Sequence, residues 1–201
     1  MSASITSVNM KLPHILLILL CLLTIGCRSI DDSNRELFAA VAALRQDDIR
    51  MALSHGANPN ATRNGNETAL GLLIQQYKRN QQYRRKRIAE AATLLLERGA
   101  DANALHHGFT PLQIAAGQRS EVLVGRLLVY GANPNQETRA GLAPIWQAVY
   151  DNNYKIGHQL LKAGANPNAK NPQGQTPLQY LRAKGSKKTR LMLYLRYYGG
   201  V

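Results

Sequence analysis

Downstream of position 27 the chain has no cysteine, since the two it carries are Cys21 and Cys27. That part can form no disulfide and offers no thiolate to a zinc site and no thiol nucleophile, which suits an oxidising compartment and leaves stability to packing alone. Acidic residues are the next scarcity, at 12 against 25 Lys and Arg, with none after Asp151. No paired-carboxylate constellation for acid–base hydrolysis is visible. The histidines beyond Cys27 are His55, His106, His107 and His158, and none has a carboxylate at helix spacing. H-E-x-x-H, a Gly-rich phosphate loop after a strand and a serine elbow are also missing. These absences speak against an enzyme and imply no cofactor and no metal. The basic excess favours an acidic protein or an anionic lipid as neighbour, and does not bear on fold.

Long apolar runs are limited to one. Residues 10–27 read MKLPHILLILLCLLTIGC, with Lys11 followed by an apolar stretch over 15–25. That length suits a signal-peptide core and is short for a bilayer span. Its end, Thr24-Ile25-Gly26-Cys27, resembles the lipobox of bacterial lipoprotein precursors, with Thr24 where leucine is usual. The resemblance implies a signal peptide over 1–26, lipidation of Cys27 and a tether over 27–34. A plainly secreted chain and an uncleaved anchor are the alternatives. Residues 1–9 add nothing to such a signal, so Met10 is a candidate start. Cys27 is followed by Arg28 rather than Asp, which resembles the pattern of lipoproteins sorted to the outer membrane, facing the periplasm. Export makes nucleic acid the least suitable partner.

Beyond the tether one phrase returns four times. Gly56-Ala57-Asn58-Pro59-Asn60 is followed by Gly99-Ala100-Asp101-Ala102-Asn103, Gly131-Ala132-Asn133-Pro134-Asn135 and Gly164-Ala165-Asn166-Pro167-Asn168. The glycines are 43, 32 and 33 residues apart. A second phrase keeps step with it: Thr68-Ala69-Leu70, Thr110-Pro111-Leu112, Ala143-Pro144-Ile145 and Thr176-Pro177-Leu178. Two phrases in phase at a period near 33 mark a solenoid and resemble the ankyrin repeat over residues 35–201. The expected fold class is all-α, a stack of helix pairs joined by β-turn fingers. Pairs are expected near 35–44 and 48–54, 68–78 and 86–97, 110–117 and 120–129, 143–150 and 154–162, and 176–183 and 187–197. The first and last pairs would act as caps.

The phrases have a local logic. Threonine caps the first helix and proline fits its first turn, where a missing N–H costs nothing. Leu95 and Leu96, Leu127 and Leu128, and Leu160 and Leu161 fall on the last turn of each second helix, and the following glycine takes the left-handed conformation that ends it. The family's histidine after Thr-Pro-Leu is replaced by Gly71, Gln113, Trp146 and Gln179. Glutamine can replace some of its hydrogen bonds, whereas Gly71 and Trp146 cannot do so in the same way. Ala143 also lacks the capping oxygen.

Two features are less generic. The second unit is about ten residues longer than the others, and the excess is a basic segment carrying Lys78, Arg79, Arg84, Arg85, Lys86 and Arg87. No Gly or Pro interrupts it, so both helices are expected to lengthen into a projecting basic hairpin turning near Asn80–Gln82. The resemblance further implies a concave binding face built from finger tips and first helices. On that face it places Arg63, His106, His107, Gln113, Arg139, Trp146, Gln147, Tyr150 and Gln179. Trp146 is the leading candidate, because an aromatic at an interface centre often dominates binding.

The function expected is a lipid-anchored protein-binding module in the bacterial envelope, monomeric on its own, that recognises an acidic envelope or periplasmic protein. An immunity protein neutralising a periplasm-acting toxin is its most concrete form. The alternative is a structural or membrane-surface protein whose basic prong binds anionic phospholipid.

Overall fold

The computed structural model describes residues 29–77, 81–185 and 189–201. Residues 1–26 and Cys27, with the signal and lipidation expectations that rest on them, lie outside the described residues.

Ten helices are described, in five consecutive pairs. They are α1 (Ile30–Ala43) with α2 (Gln46–Ser54), α3 (Ala69–Gln75) with α4 (Gln82–Glu97), and α5 (Pro111–Gly117) with α6 (Glu121–Val129). α7 (Ile145–Tyr150) with α8 (Tyr154–Lys162) and α9 (Pro177–Ala183) with α10 (Arg190–Tyr197) complete the stack. The odd-numbered helices pack on one another as an inner layer and the even-numbered ones as an outer layer. One continuous apolar core runs between the layers, with Leu37, Leu73, Leu95, Leu112, Leu127, Ile145, Leu160 and Leu191 all inaccessible. No single pair could bury such a face alone, so the array folds as a stack.

The caps follow the repeated phrases. Thr68, Thr110 and Thr176 accept from the backbone N–H three residues on, at 3.1, 3.1 and 3.3 Å. Gln113 and Gln179 return the bond to the threonine N–H, closing a capping box. α7 has no capping side chain, begins two residues after Ala143 and is the shortest helix at six residues. The glycines that close the first four pairs all adopt φ between +82° and +90°, a region in which a side chain is strained.

Each finger leaves the stack between an outer helix and the next inner one. The first forms a hairpin, β1 (Thr62–Arg63) with β2 (Glu67–Thr68), pairing Thr62 with Thr68 and Arg63 with Glu67. Asn64 and Gly65 turn it with positive φ, the geometry an Asn-Gly hairpin prefers.

The structure revises two boundaries. The chain is helical from Ile30, inside the segment expected as a tether to residue 34. Ser29 caps this helix by accepting from Asp32 N at 3.1 Å, and Asp31 and Asp32 favour its positive end. Ser33 and Asn34 then bind the second helix end and the first finger through His55 O and Asn58 N. The projecting hairpin also does not form as expected. α3 stops at Gln75 like its counterparts, because the chain then drops Tyr77 into the core at 2% exposure. Only α4 is lengthened, to 16 residues.

Candidate protein-binding surface

The basic residues on the extra turns of α4 fold back on the array. Arg84 Nη2 donates to Gln76 Oε1 at 3.1 Å, and Arg85 Nε donates to the Tyr77 hydroxyl at 2.7 Å. Arg87 donates to Leu44 O in the first unit and covers the Tyr83 ring, and Lys86 lies 3.8 Å from Glu90. Lys78 and Arg79 lie outside the described residues. The three described arginines therefore fasten the insertion to the array, while Lys86 stays exposed and pairs only within α4.

Three of the nine residues expected on the concave face are inside the protein. Trp146 is 1% exposed and donates its indole N–H to Ala169 O of the next finger at 3.0 Å. Gln113 is buried as well, with Nε2 donating to Leu142 O at 2.7 Å and Gln136 O at 3.2 Å. His106 is 1% exposed. Its ring lies where a side chain on Gly71 would be, since a Cβ built there would meet His106 Cβ and Cγ at 2.3 Å. His106 Nδ1 accepts from Thr68 N at 3.1 Å, and Nε2 faces Gln75 Oε1 at 3.4 Å. Gly71 therefore makes room for a histidine lent by the following finger, and that histidine satisfies the cap N–H. Burial is the main cause holding the His106 pKa below its ordinary value, His107 adds to it, and Glu67 opposes.

The other six remain at the surface. Arg63 pairs with Glu67 at 2.8 Å and lies over the Phe38 ring, while His107 reaches the same carboxylate at 3.5 Å. Glu67 is thereby held below the usual carboxylate range, chiefly by the Arg63 hydrogen bond. Arg139 extends along the second finger, its Cδ near the vacant side of Gly108. Gln147 lies over Gly117 of the preceding inner helix. Gln179 is exposed despite closing its cap.

Tyr150 belongs to a cluster that sequence spacing did not reveal. The rings of Trp146, Tyr150 and Tyr180 are mutually 5.4–5.7 Å apart, within the range of favourable aromatic pairs. Trp146 is the fixed base, Tyr150 is 45% exposed and Tyr180 is half-buried. Burial, with Tyr180 beside it, raises the Tyr150 hydroxyl pKa. Lys184 Nζ stands 5.7 Å from the Tyr180 ring centre. Phe109, at a finger tip and 52% exposed, was also missed. Aligning the capping phrases gives a signal for Tyr180, which takes the place held by Gln147 and Ile114 in the units before it.

The stacked pairs, capping threonines and fingers have the geometry of one known repeat. A family model described as Ankyrin repeats (3 copies) matches residues 79–171. The chain contains ankyrin repeats. The helices outside the matched stretch, α1 to α3 before it and α9 and α10 after it, continue the same stacking. Ankyrin repeats form a non-catalytic scaffold that generally mediates protein–protein interaction. Among the described residues no group of three or more His, Cys, Asp or Glu is placed to hold a metal ion. Among them, too, no helix is long and apolar enough to cross a membrane.

Proposed function

We propose that the ankyrin array is a protein-binding module of the bacterial envelope, tethered through lipid on Cys27, whose concave face takes an acidic protein. An immunity protein neutralising a periplasm-acting toxin is the specific form of this reading. The observation that carries it is the aromatic step of Tyr150 and Tyr180 on Trp146, with Lys184 beside it. Ordered tyrosines over a rigid base lose little entropy on binding, and such residues supply much of the energy of protein interfaces. The cations support an acidic partner, because no carboxylate side chain follows Asp151 to neutralise Lys170, Arg182 or Lys184. The tether and the address rest on residues 10–28 of the sequence.

The test is capture of partners from envelope extract with the full chain, followed by titration of the identified partner. Tyr150→Ala with Tyr180→Ala should weaken binding more than about tenfold, at unchanged helicity. Retention of the partner at parental affinity by this double variant would sink the concave-face reading. Cells carrying the protein should survive exposure to the partner, and a harmless partner removes the immunity form. Mass analysis of the N-terminal peptide decides the tether, which fails if Cys27 carries no lipid.

A further inference from the structure

The outer layer has its own unexplained surface at the C-terminal end of the stack. Two residues before each closing glycine lies an outward position, occupied by Ser54, Glu97, Val129, Lys162 and Tyr197 in successive units. Val129 is 83% and Tyr197 81% exposed, and Leu193 one turn earlier is 56% exposed. Solvent-facing positions of a terminal unit are ordinarily polar, because that unit must keep the stack soluble. The side chains here are instead apolar and aromatic. His158 stacks on Tyr194 with ring centres 4.3 Å apart, and Tyr197 meets Tyr198 edge-on at 5.1 Å. These rings and Leu193 line an open groove between α8 and α10.

The charges around this groove have one sign. Lys162, one turn after His158 on α8, and Arg196, beside Tyr197 on α10, are exposed at its edges. Arg190, also exposed, donates to the Tyr154 hydroxyl at 3.2 Å and lies over that ring. None of the three forms an ion pair among the described residues. Glu121, the carboxylate on α6, is already engaged by Lys155 at 3.4 Å. Exposed leucine and tyrosine among unneutralised arginine and lysine are the chemistry of a surface that rests in the headgroup region of an anionic bilayer. There the rings sit at headgroup level and the cations reach the phosphates.

We propose that the outer face of α8 and α10 docks on a bilayer rich in anionic phospholipid. This moves the lipid contact from the basic insertion, whose described arginines are bound to the array, to the opposite end of the stack. It also turns the concave face away from the membrane and leaves it open to a partner. The contact does not depend on a lipid at Cys27, and its test does not use the concave face.

The experiment uses the full chain carrying Tyr197→Trp on vesicles of brominated phosphatidylglycerol and, separately, brominated phosphatidylcholine. The native Trp146 is buried, so the parent chain supplies the background signal. The variant's added emission should be quenched on the anionic vesicles and spared on the zwitterionic ones. Lys162→Glu and Arg196→Glu in that background should each weaken the quenching-detected association at least about fivefold, at unchanged helicity. Arg190→Glu should do the same, with an unchanged thermal midpoint required of each variant because Arg190 also braces Tyr154. Quenching no greater than the parent's overturns the bilayer contact, and equal quenching on both vesicle types overturns its selectivity for anionic phospholipid. Quenching that survives all three charge reversals overturns it as well.

Discussion

Gly71 and His106 have exchanged a role between neighbouring repeats. The position after each Thr-x-Leu phrase must satisfy the cap or brace the next finger. Gln113 does both, Trp146 braces through its indole N–H, and Gln179 closes its own cap. In the second unit the side chain comes from the finger instead. Gly71→Ala should therefore destabilise the protein by about 1–3 kcal/mol, because its methyl group would overlap the His106 ring. His106→Ala should also destabilise it, by opening a cavity and orphaning Thr68 N. The double variant should lose clearly less than the sum of the two, since the alanine at 71 then has room. Urea denaturation of the four proteins checks this, and strict additivity would refute the exchange. The same contact predicts a pH dependence. Thr68 N–H needs an unprotonated Nδ1, and the folded pKa lies below the ordinary 6.5. As pH falls through 6.5 the unfolded chain takes the proton first, so stability is full above that pH and declines from there towards the lowered folded value. His106→Gln should flatten that decline.

The fingers show at the level of elements why the repeated phrase is so rich in asparagine. Its first polar position only accepts: Asn58, Asp101, Asn133 and Asn166 each take the N–H two residues on, at 2.8–2.9 Å. Aspartate serves there, as Asp101 does. The second position must donate and accept at once. Asn60, Asn103, Asn135 and Asn168 each donate Nδ2 to the next closing glycine carbonyl, at 2.8–3.0 Å. Their Oδ1 accepts a backbone N–H two residues beyond that glycine, at 2.7–2.9 Å. Only asparagine has both groups at that reach. Asn135→Ala should cost about 1–2 kcal/mol. Asn135→Asp should recover none of it, because a carboxylate oxygen would face Gly164 O. Thermal unfolding of the two variants tests this, and an aspartate variant of parental stability would contradict it. The phrase made the helix pairs, their caps and their order readable from the sequence, because those features repeat at fixed spacing. The ladder bonds were not readable, since they join residues some 30 or 40 positions apart. For the same reason Trp146 was mistaken for a surface anchor: its partner, Ala169 O, belongs to the next unit. The basic insertion was misread because helix propensity does not register the burial of Tyr77, which ends α3.

In the whole molecule these contacts join only neighbours, so each end should respond separately. The last rung is made by the chain itself. Gly199 O and Val201 N take both bonds of Asn168, and Val201 O accepts from Thr176 Oγ at 2.6 Å. Gly199-Gly200-Val201 thus occupies the place of a further Gly-Ala-Asn phrase, a role its composition does not announce. Removing these three residues leaves Asn168 without its rung and Thr176 without an acceptor, while the core from α1 to α6 keeps every contact. In a solenoid whose stability is a sum of unit and interface terms, the loss stays where it is made and decays along the stack. Amide exchange should then quicken in α9 and α10, less in α7 and α8, and not measurably in α3 to α6. Uniform acceleration along the chain would show instead that the five pairs unfold as one cooperative block.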